Sequence, residues 1–123
     1  KIDSKISLCE ITPKFVRVLD QFAPFGPGNM RPIFLAEEVK VVANPRIVGT
    51  NHFVTTFCQN GADKVYDAIG FNLGKFVDEV DKDNDLVDIV FTIEKVVRDG
   101  RTFPQIRVKD IRIKEISTQI KEK

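Results

Sequence analysis

The chain has no tryptophan, one tyrosine, one methionine and one histidine in 123 residues. His52 is that single histidine, and the two cysteines, Cys9 and Cys58, stand far apart with no motif around either. A zinc site of the usual Cys/His type cannot be assembled from this inventory. Two cysteines so placed predict free thiols in a reducing cytoplasm, not a disulfide framework. His52 has no Ser, Cys or Asp beside it in a triad-like motif, so nucleophilic catalysis is not indicated. No apolar run approaches the roughly 18 residues of a membrane span, and no secretory signal opens the chain. The first residue is not methionine, which is the expectation for a piece excised from something longer.

Charge of one sign is also lacking, since the formal net charge is +1. Its distribution is uneven. Asp78, Glu79, Asp81, Asp83, Asp85 and Asp88 cluster with only Lys82 among them, whereas Arg98, Arg101, Arg107, Lys109, Arg112 and Lys114 face only Asp99 and Asp110. A near-neutral total can conceal a positive face. Composition is otherwise that of a soluble globular protein, 42% hydrophobic and 30% charged, and the length suits one domain with a short appendage.

The densest punctuation lies at Pro24–Pro32, Pro-Phe-Gly-Pro-Gly-Asn-Met-Arg-Pro. Proline fixes φ and lacks an N–H, and glycine and asparagine tolerate positive φ, so this stretch is a corner or hinge. It separates a helical pattern from a strand-rich one. Before it, residues 1–11 alternate weakly around Ile6 and Leu8 and read as a short strand without a local partner. Thr12 and Pro13 then suit the N-cap and first position of a helix over Thr12–Phe22, with Phe15, Val18, Leu19 and Phe22 on one face.

After the corner the period is two. Strands are expected over Ile33–Ala43, His52–Cys58 and Val65–Phe71, with Phe53, Thr55 and Phe57 on one side of the second and a hairpin turn at Asn60-Gly61. A short helix over Leu73–Asp81 follows, its apolar positions being Leu73, Phe76, Val77 and Val80. Leu86–Lys95 returns to period two, Asp99-Gly100 marks a turn, and Phe103–Lys114 closes the set. Ile106 and Val108 share one parity while Ile111 and Ile113 share the other, which places a β-bulge near Lys109 and Asp110. Three strands, a helix and two strands is the order of a five-stranded OB-fold barrel, here preceded by an N-terminal strand and helix. Another small antiparallel barrel or an α+β sheet remains the alternative. The expected organisation is residues 1–23 as the end of a preceding region, 24–32 as a joint, 33–116 as the OB domain and 117–123 as a polar tail.

Two motifs are set aside. Gly26-x-Gly28 follows a helix and precedes a strand, the reverse of a phosphate-binding loop, and Pro27 removes an N–H. Asp81, Asp83 and Asp85 begin like a calcium loop, but Leu86 and Thr92 stand where Gly and Glu are required, so these acids read as a solvated helix end. An OB fold binds on its second and third strands and on the loops joining strands one to two and four to five. Those loops carry Arg46, Asn51, Arg98 and Arg101, His52 begins the second strand, and the last strand adds Gln105, Arg107 and Lys109. Phe103 and Tyr66 are candidate stacking platforms for unpaired bases, and the cations would neutralise phosphates. Ordinary solvated positions, with Phe103 in the core, are the competing reading.

Pro24-Phe25-Gly26-Pro27-Gly28-Asn29 followed by Pro32-Ile33-Phe34 resembles the segment joining the DHHA1 and OB domains of the RecJ family, exonucleases specific for single-stranded DNA. Gly49-Thr50-Asn51-His52-Phe53, Ala68-Ile69-Gly70-Phe71-Asn72, and Gly100 with Gln105, Val108, Lys109, Asp110 and Ile111 agree with it in order and spacing. The resemblance covers essentially the whole chain. It implies a DNA-gripping OB domain of an enzyme that digests single strands from the 5′ end in recombination and repair. It implies no cofactor in this piece, with manganese or magnesium held by the parent's DHH domain. The implied partners are single-stranded DNA and the parent's DHH and DHHA1 domains, without a membrane; the alternative is a structural or interaction module that braces those domains or docks single-strand-binding protein. No DHH motif is present, so the piece alone should be inactive. Many relatives carry an aromatic residue shortly before the glycine matched to Gly100, where this chain has Val96, Val97 and Arg98.

Overall fold

Two long strands carry the architecture. In β6 (Asp85–Arg98), Val87, Ile89, Phe91 and Ile93 all point inward and are buried. It runs antiparallel to β7 (Arg101–Glu115) through a two-residue turn in which Asp99 and Gly100 both have positive φ, 51° and 76°. Such a turn matches the natural twist of the paired strands, and Asp-Gly is the dipeptide that adopts it most readily. Val90 pairs with Asp110 and Phe91 with Val108, which leaves Lys109 as the extra residue of a bulge. The bulge lets Ile106, Val108 and Ile111 face one core despite their change of parity.

The computed structural model describes residues 2–59, 64–81 and 85–115. The expected Asn60-Gly61 turn, Asp83 and the tail 117–123 lie outside the described residues. The remaining strands are β1 (Ser4–Lys5), β2 (Phe34–Val41), β3 (Arg46–Val48), β4 (His52–Gln59) and β5 (Tyr66–Gly70). All seven described strands form one sheet. Five of them close a ring: β2 pairs with β6, β6 with β7, β7 with β5, β5 with β4, and β4 returns to β2. The β5–β7 pairing is parallel and the other four are antiparallel. The chain is therefore mostly β, with a five-strand ring consistent with an OB-like fold. Helix α2 (Phe76–Glu79) stands between the third and fourth ring strands, shorter than the expected Leu73–Asp81. Its apolar face is as expected, Phe76 and Val80 being buried and Leu73 and Val77 packing against the core.

Two strands were not foreseen as they occur. Within the expected loop Asn44–Asn51, β3 pairs antiparallel with β4. The N-terminal strand has a partner after all, because β1 runs parallel to β2 with Ser4 opposite Phe34. It is only two residues long, and Leu8–Glu10 forms a 3-10 turn instead of continuing it. Ile6, Leu8 and Ile11 are buried in the same core as the ring strands. Gln59 ties this region down: its Oε1 accepts from Leu8 N at 2.6 Å and its Nε2 donates to Glu37 O at 2.6 Å.

Helix α1 (Pro13–Asp20) starts as its sequence directs, with Thr12 Oγ1 accepting from Phe15 N and Pro13 in the first turn. Its buried face differs from expectation. Val16 is the buried residue and Phe15 and Leu19 pack partly, while Val18 and Phe22 are exposed. The helix meets the ring through Phe15, whose ring lies 5.8 Å from that of Phe34. Phe34 in turn contacts Phe91 at 5.9 Å.

The Pro24–Pro32 stretch is an ordered corner. Gly26 and Asn29 exchange backbone hydrogen bonds of 2.9 and 2.8 Å, and Gly28 has φ 86°. Asn29 Nδ2 donates to the carbonyls of Phe22 and Pro24, and the Ala23–Pro24 peptide bond is cis. The Arg31 guanidinium stacks 4.6 Å from the Phe25 ring centroid and also reaches Ile93 O and Glu94 on β6. The corner is thus pinned to the ring.

The acidic stretch also departs from expectation. Asp85 and Asp88 are buried, not solvated. Asp85 Oδ2 accepts from Asp81 N at 2.8 Å. Asp88 accepts from Glu38 N at 3.0 Å and from Arg112 Nη2 at 3.1 Å, and lies 3.5 Å from Lys114 Nζ. Glu38 has φ 56° and sits where the register of β2 shifts between Ala36 and Val39. Asp88 therefore clamps a bulge whose N–H would otherwise lack a partner.

Candidate nucleic-acid interface

Alternation sets the outer surface as firmly as the core. Because Ile106 and Val108 face inward, Arg101, Phe103, Gln105 and Arg107 share the outward parity of β7. Lys109, displaced by the bulge and exposed, extends that row. At about 3.4 Å per residue the row from Arg101 to Lys109 spans about 27 Å. Beside it, β5 turns Asp67 and Ile69 outward and β4 turns His52, Val54 and Thr56 outward. The register places Ile69 against Arg107 and Val54 against Ile69.

One end of this face is a cavity of about 250 Å³ that brings Arg46, Arg98 and Gln105 together with Thr56, Asp67 and Ile69. Arg46 arrives there from β3, and Arg98 from the tip of the β6–β7 hairpin. Arg98 Nη1 donates to Asp67 Oδ2 at 3.1 Å. Toward the middle, the Arg107 guanidinium lies 4.8 Å from the Phe71 ring centroid and pairs with Glu94 Oε2 at 3.1 Å. Glu94 is shared with Arg31 at 3.5 Å, so the row reaches the corner. His52 meets Phe71 edge-on at 4.9 Å, and its Nδ1 accepts from Asn72 N at 3.2 Å. At the far end, Lys109 borders a second cavity of about 350 Å³ with Phe25, Met30, Arg31 and Thr92.

Of the residues singled out by sequence, the structure groups Arg46, Arg98 and Gln105 in one cavity. Arg101, Phe103, Arg107 and Lys109 lie along the adjoining row. Phe103 is exposed, so it is not a core residue. His52 borders the row through Phe71. Asn51 faces the turn ahead of α2 instead: its carbonyl accepts from Gly74 N at 3.1 Å, and a Cβ on Gly74 would collide with its Oδ1. Tyr66 is a core residue and offers no open stacking face. It is 4% exposed, and its hydroxyl donates to Ile11 O at 3.2 Å.

A family model described as the RecJ OB domain matches residues 2–110. The chain belongs to the RecJ OB-domain family. The matched span of this RecJ OB domain takes in β1, α1, the corner and the ring strands as far as the bulge. The chain matches no curated protein. Among the described residues, no three His, Cys, Asp or Glu side chains group as metal ligands. No described helix is long and apolar enough to cross a membrane.

Sequence reasoning passed over Phe71, Asp67 and Glu94 in this RecJ OB domain. Phe71 was within reach, because Asp67, Ile69 and Phe71 continue one outward alternation. Asp67 was not, because Arg98 reaches it only through the non-local β5–β7 pairing, whereas Glu94 meets Arg107 across the β6–β7 hairpin and was within reach.

Proposed function

We propose that this domain is a five-stranded OB barrel that holds single-stranded DNA for a RecJ-like exonuclease. That enzyme would digest strands from the 5′ end in recombination and repair, in the cytoplasm, using manganese or magnesium in a separate DHH domain. The observation that carries the reading is the alignment of Arg101, Gln105, Arg107 and Lys109 with the Arg46–Arg98 cavity on one outer face. Guanidinium and ammonium groups spaced along an extended strand suit a phosphate backbone, and Phe71 and Phe103 provide open aromatic surface for unpaired bases. A row of about 27 Å falls within the span of an OB-type site for several nucleotides. The Pro24–Pro32 corner would be the joint that sets how the barrel meets the catalytic body.

Fluorescence anisotropy with labelled oligo-dT tests this. Binding that weakens steeply with salt and exceeds binding to a duplex of equal length is expected. No binding at about 20 mM salt, where counterion release favours association most, refutes it. A second reading is a module that braces the catalytic domains or docks single-strand-binding protein. It draws on the exposed apolar side chains Val18, Phe22 and Met30 around α1 and the corner. Capture of purified single-strand-binding protein without any affinity for oligo-dT would favour it.

A further inference from the structure

The cations best placed to meet phosphates are already occupied. Arg98 is held by Asp67 at 3.1 Å, and Arg107 by Glu94 at 3.1 Å. Among the described residues the Asp67 side chain has no partner besides Arg98, whereas Glu94 also holds Arg31 of the corner. Asp67 is a half-exposed side chain on the outward row of β5, and Glu94 lies on the outward row of β6. Both sit on the face proposed to hold DNA.

We propose that Asp67 and Glu94 are specificity-determining residues of that face: resident anions that occupy Arg98 and Arg107 and are displaced only by a chain of linked phosphates. The inference rests on the single-strand-binding reading. A lone phosphate that takes Arg98 exchanges one oxygen anion for another and gains little, because exposed pairs of this kind are weak and close to balanced. A strand that has already engaged Arg46 or Lys109 presents its next phosphates at high effective concentration, so successive displacements become favourable together. The face would therefore ignore mononucleotides and inorganic phosphate, hold strands of several nucleotides, and re-close on its own carboxylates as a strand leaves. Glu94 adds a link to the corner, since it releases Arg31 as well as Arg107 when it moves.

The test compares the 123-residue chain with D67N, E94Q and D99N by oligo-dT anisotropy across a salt series. Asp99 is the control: it lies beside Arg98 at the hairpin turn and carries the same charge, but takes part in neither ion pair. D67N should tighten binding about 2–5-fold, the range set by exposed ion pairs, and E94Q should tighten it as well, Glu94 being more buried and shared with Arg31. Each should also steepen the dependence of log K on log salt by up to about 0.7, one freed cation's share on a single strand. D99N should change neither. D67N does not disturb Arg31, so it separates phosphate competition from any effect on the corner. If the parent chain binds but D67N and E94Q gain no more than D99N, the inference falls and the DNA-binding reading stands. If neither the parent chain nor any variant binds, that reading falls and takes the inference with it.

Discussion

Asp88 gives the sharpest stability prediction. Its side chain is only 2% exposed, yet it accepts from a backbone N–H and from Arg112 and lies near Lys114. Burial by itself raises its pKa. The Glu38 N–H, the Arg112 hydrogen bond and the charges of Lys114 and Arg112 outweigh that, so the carboxyl lies below its ordinary value of 3.8. A depressed carboxyl pKa contributes stability that is complete above 3.8 and is lost as pH falls through the lower folded value. Asp88→Asn keeps the shape and an acceptor for Glu38 N, but sets an amide NH₂ against two cationic donors. Charge-assisted hydrogen bonds are worth about 1.5–3 kcal/mol, and Arg112, largely exposed, regains water, so the expected loss is roughly 2 kcal/mol. For a chain of this length that is roughly 6–12 °C in Tm. Asp88→Ala also strands the Glu38 N–H and should cost roughly 3 kcal/mol. Thermal melts from pH 7 down to pH 2 are the assay. The gap between the parent chain and Asp88→Asn should be full at pH 7 and shrink below pH 3.8. An equal Tm at pH 7, or a gap that does not change with pH, refutes the clamp.

Other outcomes follow from the same structure. Thr92 is buried and its Oγ1 has no hydrogen-bond partner, so Thr92→Val should raise stability by roughly 1 kcal/mol in chemical denaturation, and a loss would mean that the hydroxyl is satisfied. Gly28→Val meets open space but a φ of 86°, so backbone strain alone should cost roughly 1–3 kcal/mol while oligo-dT affinity of this domain stays unchanged. In the proposed exonuclease the same change should alter processivity, and an equal loss of affinity and processivity would count against the corner as a joint. Arg107→Ala should weaken oligo-dT binding alike for all base sequences and flatten the salt slope by about 0.7, whereas a sequence-dependent loss would assign Arg107 to base reading.

Much of the ring was legible because a half-buried strand writes its face into every second residue. The inward run of β6, the Asp99-Gly100 turn and the bulge at Lys109 could all be read that way, as could the Thr12-Pro13 start of α1. The β2 bulge was hidden, since Ala36 and Val39 break the alternation and the reason, Asp88, lies fifty residues away. The buried face of α1 was misplaced because the helix touches the ring through Phe15 and Val16 and leaves Val18 and Phe22 in solvent. Tyr66 was misread although its alternation with Asp67 and Ile69 turns it inward, where its hydroxyl meets Ile11 O. At the candidate site the cations were visible in sequence, whereas the Arg98–Asp67 pair required the non-local β5–β7 topology.

Backbone NMR of the domain titrated with oligo-dT measures directly whether this outer face is the binding face. Shifts should concentrate at Arg46, Phe71, Arg98, Gln105, Arg107 and Lys109 and leave Asp78, Asp88 and Arg112 unmoved. Shifts confined to those last residues or to α1, or no shifts at low salt, would contradict the account.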